Sequence, residues 1–149
     1  MNGEVALVLA PVLASGLLAY RPGGPPERAA VAIIVGWILA DVVYHLLFGP
    51  SDFDTVDPVH VVLDGAELAA ILWLALKANR MWPLWAAAAQ LICVSGHVAA
   101  FVEPGGMRRA YWAMTQLPQY IQLTALLLGA AAHARRERRV GPYRSWRTA

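Results

Sequence analysis

The chain has 149 residues, of which 58% are hydrophobic and only 15% are charged, and its mean hydropathy is +0.48. Soluble domains carry roughly 25% charged residues, so the composition argues against a water-soluble domain and indicates an integral membrane protein. The net charge of +2 comes from arginines in the last fifteen positions, not from a basic face with interleaved aromatic residues, which argues against nucleic-acid binding. Cys93 is the single cysteine, which excludes an intramolecular disulfide.

Five apolar segments have about the length that a membrane-spanning helix needs, which is about 20 residues. In chain order they are residues 5–20, 29–48, 58–76, 82–102 and 110–134. The first is short and contains Pro11, and because no basic residue precedes it we expect a retained span and not a cleaved signal peptide. The third begins at Pro58, a residue favoured in the first turn of a helix. In the fifth, Pro118 either kinks the helix or marks a restart after an interfacial turn.

These segments are apolar at nearly every position and show no alternation of period two, so they predict helices and not the strands of a barrel. The predicted fold is therefore an all-α integral membrane helical bundle with about five transmembrane helices. Residues 1–134 form the bundle, and residues 135–149 form a basic tail.

Lysine and arginine in the connections predict the orientation, because cytoplasmic loops are enriched in both. One side receives Arg21, Arg28, Lys77, Arg80 and the six arginines after residue 134. The other side receives only Arg108 and Arg109, together with a group of acids, Asp52, Asp54, Asp57 and Glu103. We therefore expect a cytoplasmic C-terminus, with the basic tail against the anionic headgroups of the lipid bilayer.

Short motifs in the second half of the chain carry a resemblance. They are Ala78-Asn79-Arg80, Trp82-Pro83-Leu84-Trp85, Gln90-Leu91, Gly96-His97 and Pro118-Gln119-Tyr120-Ile121-Gln122. Over about half its length, from about residue 64 to 133, the chain resembles small uncharacterised multi-spanning inner-membrane proteins of alphaproteobacteria. The resemblance implies the bacterial inner (plasma) membrane and carries over no activity or site.

Ionisable residues inside the predicted spans are the best functional clue, because each is costly in hydrocarbon and needs a partner or a role. Asp41 and His45 share one helical face, and so do His60, Asp64 and Glu67 on the next span; Gln90, Cys93 and His97 form a third stripe. At a rise of about 1.5 Å per residue, His45, Asp64 and His97 lie roughly 8 to 10 Å below the periplasmic boundary, and Asp41 and Glu67 lie roughly 13 Å below it.

Three functions fit this pattern. The first is a non-enzymatic accessory or assembly subunit of a larger membrane complex, in which the polar stripes only fix helix register. The second is a metal- or proton-handling protein whose site is formed by Asp41, His45, Asp64, Glu67 and His97, with side-chain heads within about 6 to 8 Å of one another. The third is a redox subunit with haem b between His45 and His97, or with a quinone among aromatic residues, Trp37, Tyr44, Trp73 and Tyr120. The sequence does not identify a cofactor. We expect Cys93 to be a buried small side chain, and we expect His60 to cap a helix or to lie at the membrane interface.

Overall fold

A computed structural model describes residues 16, 19, 23–50, 53–103 and 108–147 of the chain. This part is all-helical, as predicted, and contains four helices, α1 (Pro25–Phe48), α2 (Pro58–Lys77), α3 (Trp82–Val102) and α4 (Arg108–Val140). The predicted first span, residues 5–20, lies outside the described residues apart from Gly16 and Ala19, which are both helical. The described part therefore contains four helices and not the five expected.

Three of the four helices, α1, α2 and α3, are long and apolar enough to cross a bilayer. Their outward faces carry large apolar side chains that the bundle leaves exposed, such as Leu46, Phe101 and Val102. A soluble protein rarely exposes so much continuous apolar surface, whereas lipid hydrocarbon suits it. The helix α4 falls short of this apolarity and carries Gln116, Gln119 and Gln122 in its first half.

Proline and capping residues set the helix starts. Asp57 caps α2 by accepting a hydrogen bond of 2.9 Å from the Val59 N–H, and Pro58 occupies the first turn. The helix α1 starts at Pro25 behind the N-cap residue Gly24, and it ends at Gly49, whose φ of 90° a residue with a side chain would rarely adopt. The predicted span 58–76 is thus close to α2, whereas the span predicted at 29–48 shares the end of α1 but begins four residues after its start.

The helix α4 runs without a break through Pro118 to Val140, so it extends six residues beyond the predicted span. The segment after it folds back over the turn between α2 and α3. There the Asn79 N–H donates to the Ser145 carbonyl at 2.9 Å, and the Arg147 N–H donates to the Lys77 carbonyl at 2.8 Å. Part of the predicted basic tail therefore closes the end of the bundle.

Small residues let the helices approach closely. The helix α3 packs against both α2 and α4, and alanines such as Ala86, Ala87 and Ala130 lie in the core between them. The indole of Trp82 covers Gly129 so closely that a Cβ at this glycine would lie 2.2 Å from the ring. Of the polar side chains predicted at membrane depth, Asp64, Glu67 and His97 are buried in this interhelical core, whereas Asp41 and His45 are partly exposed.

Candidate metal site in the helical bundle

The first polar cluster, the outer cluster, lies where α1 ends and α2 begins. The Asp41 Oδ1 is 3.0 Å from His60 Nε2 and 3.5 Å from His45 Nε2, and all three side chains are partly exposed. The other nitrogen of His60, Nδ1, lies 3.1 Å from Asp57 Oδ2. The Tyr44 hydroxyl donates to the same Asp57 oxygen at 2.6 Å. A carboxylate and two imidazoles therefore meet within 4.8 Å of one another, a set of ligand types that suits a divalent cation.

The environment of Asp57 also changes its acidity. Partial burial raises the pKa of this carboxyl, but hydrogen bonds from the Tyr44 hydroxyl and the Val59 N–H, with the attraction of His60, outweigh burial. The pKa of Asp57 is therefore lowered from its ordinary value of 3.8. At neutral pH the capping residue of α2 is a carboxylate.

The second cluster, the inner cluster, is buried between α2 and α3. Its centre is Asp64 Oδ2, which lies 2.7 Å from His97 Nε2 and accepts a hydrogen bond from the Cys93 thiol at 3.3 Å. Asp64, Cys93 and His97 are all almost completely inaccessible to solvent. Their ligand atoms all lie within 4.8 Å of one another, so oxygen, sulfur and nitrogen converge on one point.

A second set of polar groups orients these three side chains. The other carboxylate oxygen of Asp64, Oδ1, accepts a hydrogen bond from Trp37 Nε1 at 2.9 Å and a longer one from the Gln90 amide at 3.4 Å. The other ring nitrogen of His97, Nδ1, lies 2.9 Å from the Tyr111 hydroxyl. The Gln90 amide also accepts a hydrogen bond from Gln122. All four helices therefore contribute to one connected network.

Glu67 lies one helical turn from Asp64 on α2 and is only 5% exposed. Within the described residues, no group donates a hydrogen bond to its carboxyl and no basic side chain pairs with it. A buried carboxyl without a partner is unfavourable in an apolar interior. Glu67 thus leaves acceptor capacity unused beside the inner cluster.

A cavity of about 600 Å³ lies at the end of the bundle where α3 ends and α4 begins, which the charge distribution predicts to be the periplasmic end. The carboxyl groups of Asp54 and Glu103 line it, and so do Gly96 and Tyr111. Arg108 pairs with Asp54 at 3.4 Å, and both side chains are well exposed. Tyr111 therefore contacts both the cavity and, through its hydroxyl, His97 of the inner cluster.

The five residues predicted to form one site fall into two groups. Asp41 and His45 lie in the outer cluster, whereas Asp64 and His97 lie in the inner cluster with Glu67 beside them. Two further ligand candidates, His60 and Cys93, were expected to have structural roles. The sequence spacing could have indicated both residues as ligand candidates, because His60 is one turn from Asp64 and Cys93 is one turn from His97.

The predicted haem and quinone residues do not share one site. His45 and His97 lie in different clusters, and both ring nitrogens of each have polar neighbours. Of the aromatic residues proposed to line a quinone pocket, Trp37 and Tyr44 bind carboxylates. Trp73 and Tyr120 are exposed on the surface of the bundle.

A third cluster, the Glu27–Arg80 cluster, lies at the opposite, arginine-rich end. The Glu27 carboxylate is fully buried and accepts hydrogen bonds from Arg80 Nε at 3.1 Å, Trp82 Nε1 at 3.0 Å and the Gly24 N–H at 2.9 Å. Arg80 Nη2 lies 3.0 Å from His133 Nδ1. This cluster was not predicted from the sequence, because charged residues beside the end of a membrane-spanning segment are ordinarily exposed to water.

No known protein family, curated protein or solved structure matches this chain.

Proposed function

We propose that this protein is a non-enzymatic component of the bacterial inner membrane that binds a divalent transition-metal ion, of the zinc class, in its helical bundle. Asp64, Cys93 and His97 are the proposed ligands. The observation that carries the proposal is the convergence of a carboxylate oxygen, a thiol and an imidazole nitrogen in the buried inner cluster. With residues 5–20 as a further span and α4 as the last, the chain crosses the membrane five times with its C-terminus in the cytoplasm. The charge distribution and the resemblance to alphaproteobacterial inner-membrane proteins support that arrangement.

The ligand types and their spacing suit zinc. Zinc accepts cysteine sulfur at about 2.3 Å and histidine nitrogen or carboxylate oxygen at about 2.0 to 2.2 Å. In a tetrahedral site these lengths put oxygen about 3.3 Å from nitrogen and about 3.5 Å from sulfur. The distances around Asp64 Oδ2, 2.7 Å to His97 and 3.3 Å to Cys93, would need to widen by about 0.6 Å and about 0.2 Å to reach these lengths.

Electrostatics also favours an ion here. A divalent cation with one thiolate and one carboxylate forms a neutral unit, which costs less in hydrocarbon than an isolated charge. Binding would release the Cys93 thiol proton to water. His97 would hold the ion through Nε2 as the tautomer protonated at Nδ1, whose N–H would donate a hydrogen bond to the Tyr111 hydroxyl. A ligating histidine whose second nitrogen is hydrogen-bonded is the usual arrangement in metal sites.

Glu67 and the cavity supply a further ligand and a route of entry for the ion. The Glu67 carboxyl, one turn from Asp64 and without a hydrogen-bond donor in the described part of the chain, is available as a fourth ligand through its carbonyl oxygen while it keeps its proton, which leaves the unit neutral. The periplasmic cavity is lined by two acids, Asp54 and Glu103, and by one cation, Arg108, so its small net negative charge would attract cations toward Tyr111. The outer cluster around Asp41 offers a second, more accessible set of ligands near the same face.

Cobalt spectroscopy tests the inner site directly. Co²⁺ added to the detergent-purified, metal-depleted protein should give thiolate-to-metal charge-transfer absorption, because Cys93 is a proposed ligand. Since Cys93 is the single cysteine, this absorption identifies the inner cluster as the binding site. Zn²⁺ should displace the cobalt and remove this absorption. Cys93→Ser should abolish the charge-transfer band. His97→Gln should weaken cobalt binding at least tenfold, because even the loss of a residue that only supports a ligand lowers metal affinity by about 10- to 100-fold.

Ser95→Ala is the matched control, because the Ser95 hydroxyl lies on the exposed side of the same helix and donates only to the Leu91 carbonyl at 2.7 Å. This variant should bind cobalt as the wild type does. An absence of charge-transfer absorption in the folded wild type, or equal metal content in the wild type and Cys93→Ser, would show that the inner cluster is only a hydrogen-bonded contact between helices.

The other two predicted functions stay predictions and are tested on the same preparation. A Soret band in the visible spectrum would favour the haem subunit, and partner chains that co-purify in a fixed ratio would favour an accessory or assembly subunit.

A further inference from the structure

A second cavity, of about 810 Å³, lies at the arginine-rich end of the bundle. The first turns of α3, the second half of α4 and the segment after α4 line it. The lining residues of α4 recur every three or four positions from Ile121 to Arg136, so they form one continuous face of the helix. This cavity shares no residue with the inner cluster or with the periplasmic cavity.

The wall of this cavity is apolar along its length and polar at one end. Ile121 and Leu128 on α4, with Trp85 on α3, form the apolar part, and all three side chains are exposed at the surface of the bundle. At a rise of about 1.5 Å per residue, the stripe from Ile121 to Arg136 is about 22 Å long. That length is about half of a bilayer that measures about 40 to 45 Å with its headgroups. The groove therefore has the length of one lipid leaflet.

The polar end carries positive charge that the protein leaves unneutralised. Arg136 and Arg147 line the cavity, both are exposed, and neither forms an ion pair with a carboxylate in the described part of the chain. The Arg136 guanidinium lies 4.2 Å from the centre of the Tyr143 ring, which holds it at the rim. The charge of the neighbouring Arg80 is already matched by Glu27. Two arginines thus remain to face an external anion.

We infer that this cavity binds an anionic glycerophospholipid, with its phosphate between Arg136 and Arg147 and an acyl chain along the α4 stripe. Basic pockets between helices at the cytoplasmic side of a membrane characteristically hold anionic headgroups. The start of α3 at Trp82 adds the partial positive charge of a helix N-terminus at the same end. A free phosphate or soluble phosphate ester would use the arginines but would leave the leaflet-long apolar wall uncovered.

Lipid retention tests this inference without reference to metal. The protein is purified in mild detergent and incubated with equal amounts of phosphatidylglycerol and phosphatidylcholine, and native mass spectrometry counts the lipids that stay bound. The wild type should retain phosphatidylglycerol preferentially. Because each arginine near an anionic surface contributes about 1 kcal/mol, Arg136→Gln with Arg147→Gln should weaken retention about 30-fold. Arg138→Gln is the matched control, since Arg138 is exposed on α4 but lies outside the lining stripe.

Two further measurements separate the lipid from a soluble anion. Ala132→Phe fills the apolar groove without changing its charge and should abolish lipid retention, whereas glycerol phosphate should neither bind nor raise the melting temperature. Circular dichroism checks that each variant folds. Equal losses in Arg138→Gln and the double variant would replace the site with diffuse attraction and overturn the inference. So would competition by glycerol phosphate, no lipid preference in the wild type, or retention that Ala132→Phe leaves unchanged in the folded protein.

Discussion

Replacing Arg80 by methionine tests whether the Glu27–Arg80 cluster fixes one end of the bundle. The Glu27 carboxylate is completely inaccessible to solvent, and Arg80 is its only cationic partner among the described residues. After the substitution the carboxylate keeps only two neutral donors, the Trp82 indole and the Gly24 N–H. Removing one partner of a buried ion pair costs about 3 to 5 kcal/mol, because a buried charge is left uncompensated. We expect Arg80→Met to lower the free energy of unfolding by that amount.

A double-mutant cycle separates the stranded charge from the lost packing of the arginine. Replacing Glu27 by leucine in the same protein removes the stranded carboxylate, so Glu27→Leu with Arg80→Met should be more stable than Arg80→Met alone. Reversible unfolding in mixed micelles, followed by circular dichroism, measures all four proteins. Arg138→Met, at an exposed arginine, should change stability by less than about 0.5 kcal/mol. A cost below about 1 kcal/mol for Arg80→Met, or a double variant less stable than either single one, would refute this reasoning.

Two further predictions concern helix packing and capping. Gly129→Ala should lower the free energy of unfolding by more than about 2 kcal/mol, because its Cβ would lie 2.2 Å from the Trp82 ring. Gly36→Ala, where a Cβ meets nothing within 4 Å, should be neutral or stabilise α1 by up to about 1 kcal/mol, and equal effects in a thermal melt would contradict the packing. Asp57→Ala should cost about 1 kcal/mol near neutral pH. The pKa of Asp57 is lowered in the folded protein, so this stabilisation is complete above the ordinary pKa of 3.8 and is lost as the pH falls through the lowered pKa. The difference in stability between the wild type and Asp57→Ala should therefore vanish in acid.

The boundaries of α2 and α3 and the end of α1 were predictable because continuous apolarity and proline act locally, whereas α1 begins four residues before the span expected at 29–48. The span expected at 82–102 coincides with α3, and the one expected at 58–76 is one residue shorter than α2. The extension of α4 to Val140 was not predictable from apolarity, because residues 135–139 are charged and belong to a solvated end of the helix.

The partners of the polar residues were not predictable from their positions along the spans. Counting residues from the span boundaries put His45, Asp64 and His97 at one level, yet depth gives no information on the rotation of each helix. Rotation decides that His45 meets Asp41 and His60 whereas His97 meets Asp64. It depends on close contacts such as Gly96 against Met114, where a Cβ at the glycine would lie 2.8 Å from the neighbouring side chain.

The helix α4 is too polar to count among the membrane-spanning helices by composition, because it carries polar groups that bond to neighbouring helices. Tyr111 contacts His97, Gln122 donates to Gln90, and His133 contacts Arg80, so each polar group satisfies one on α3 or at its start. A helix that had to be stable alone in hydrocarbon could not carry these side chains, but one that packs along α3 buries them against partners. The same polarity that weakens the span signal of α4 therefore makes it the helix that orients the proposed ligand His97 and the Glu27–Arg80 cluster. In the proposed metal site, α4 contributes no ligand, but it determines whether the ligands on α2 and α3 are held in place.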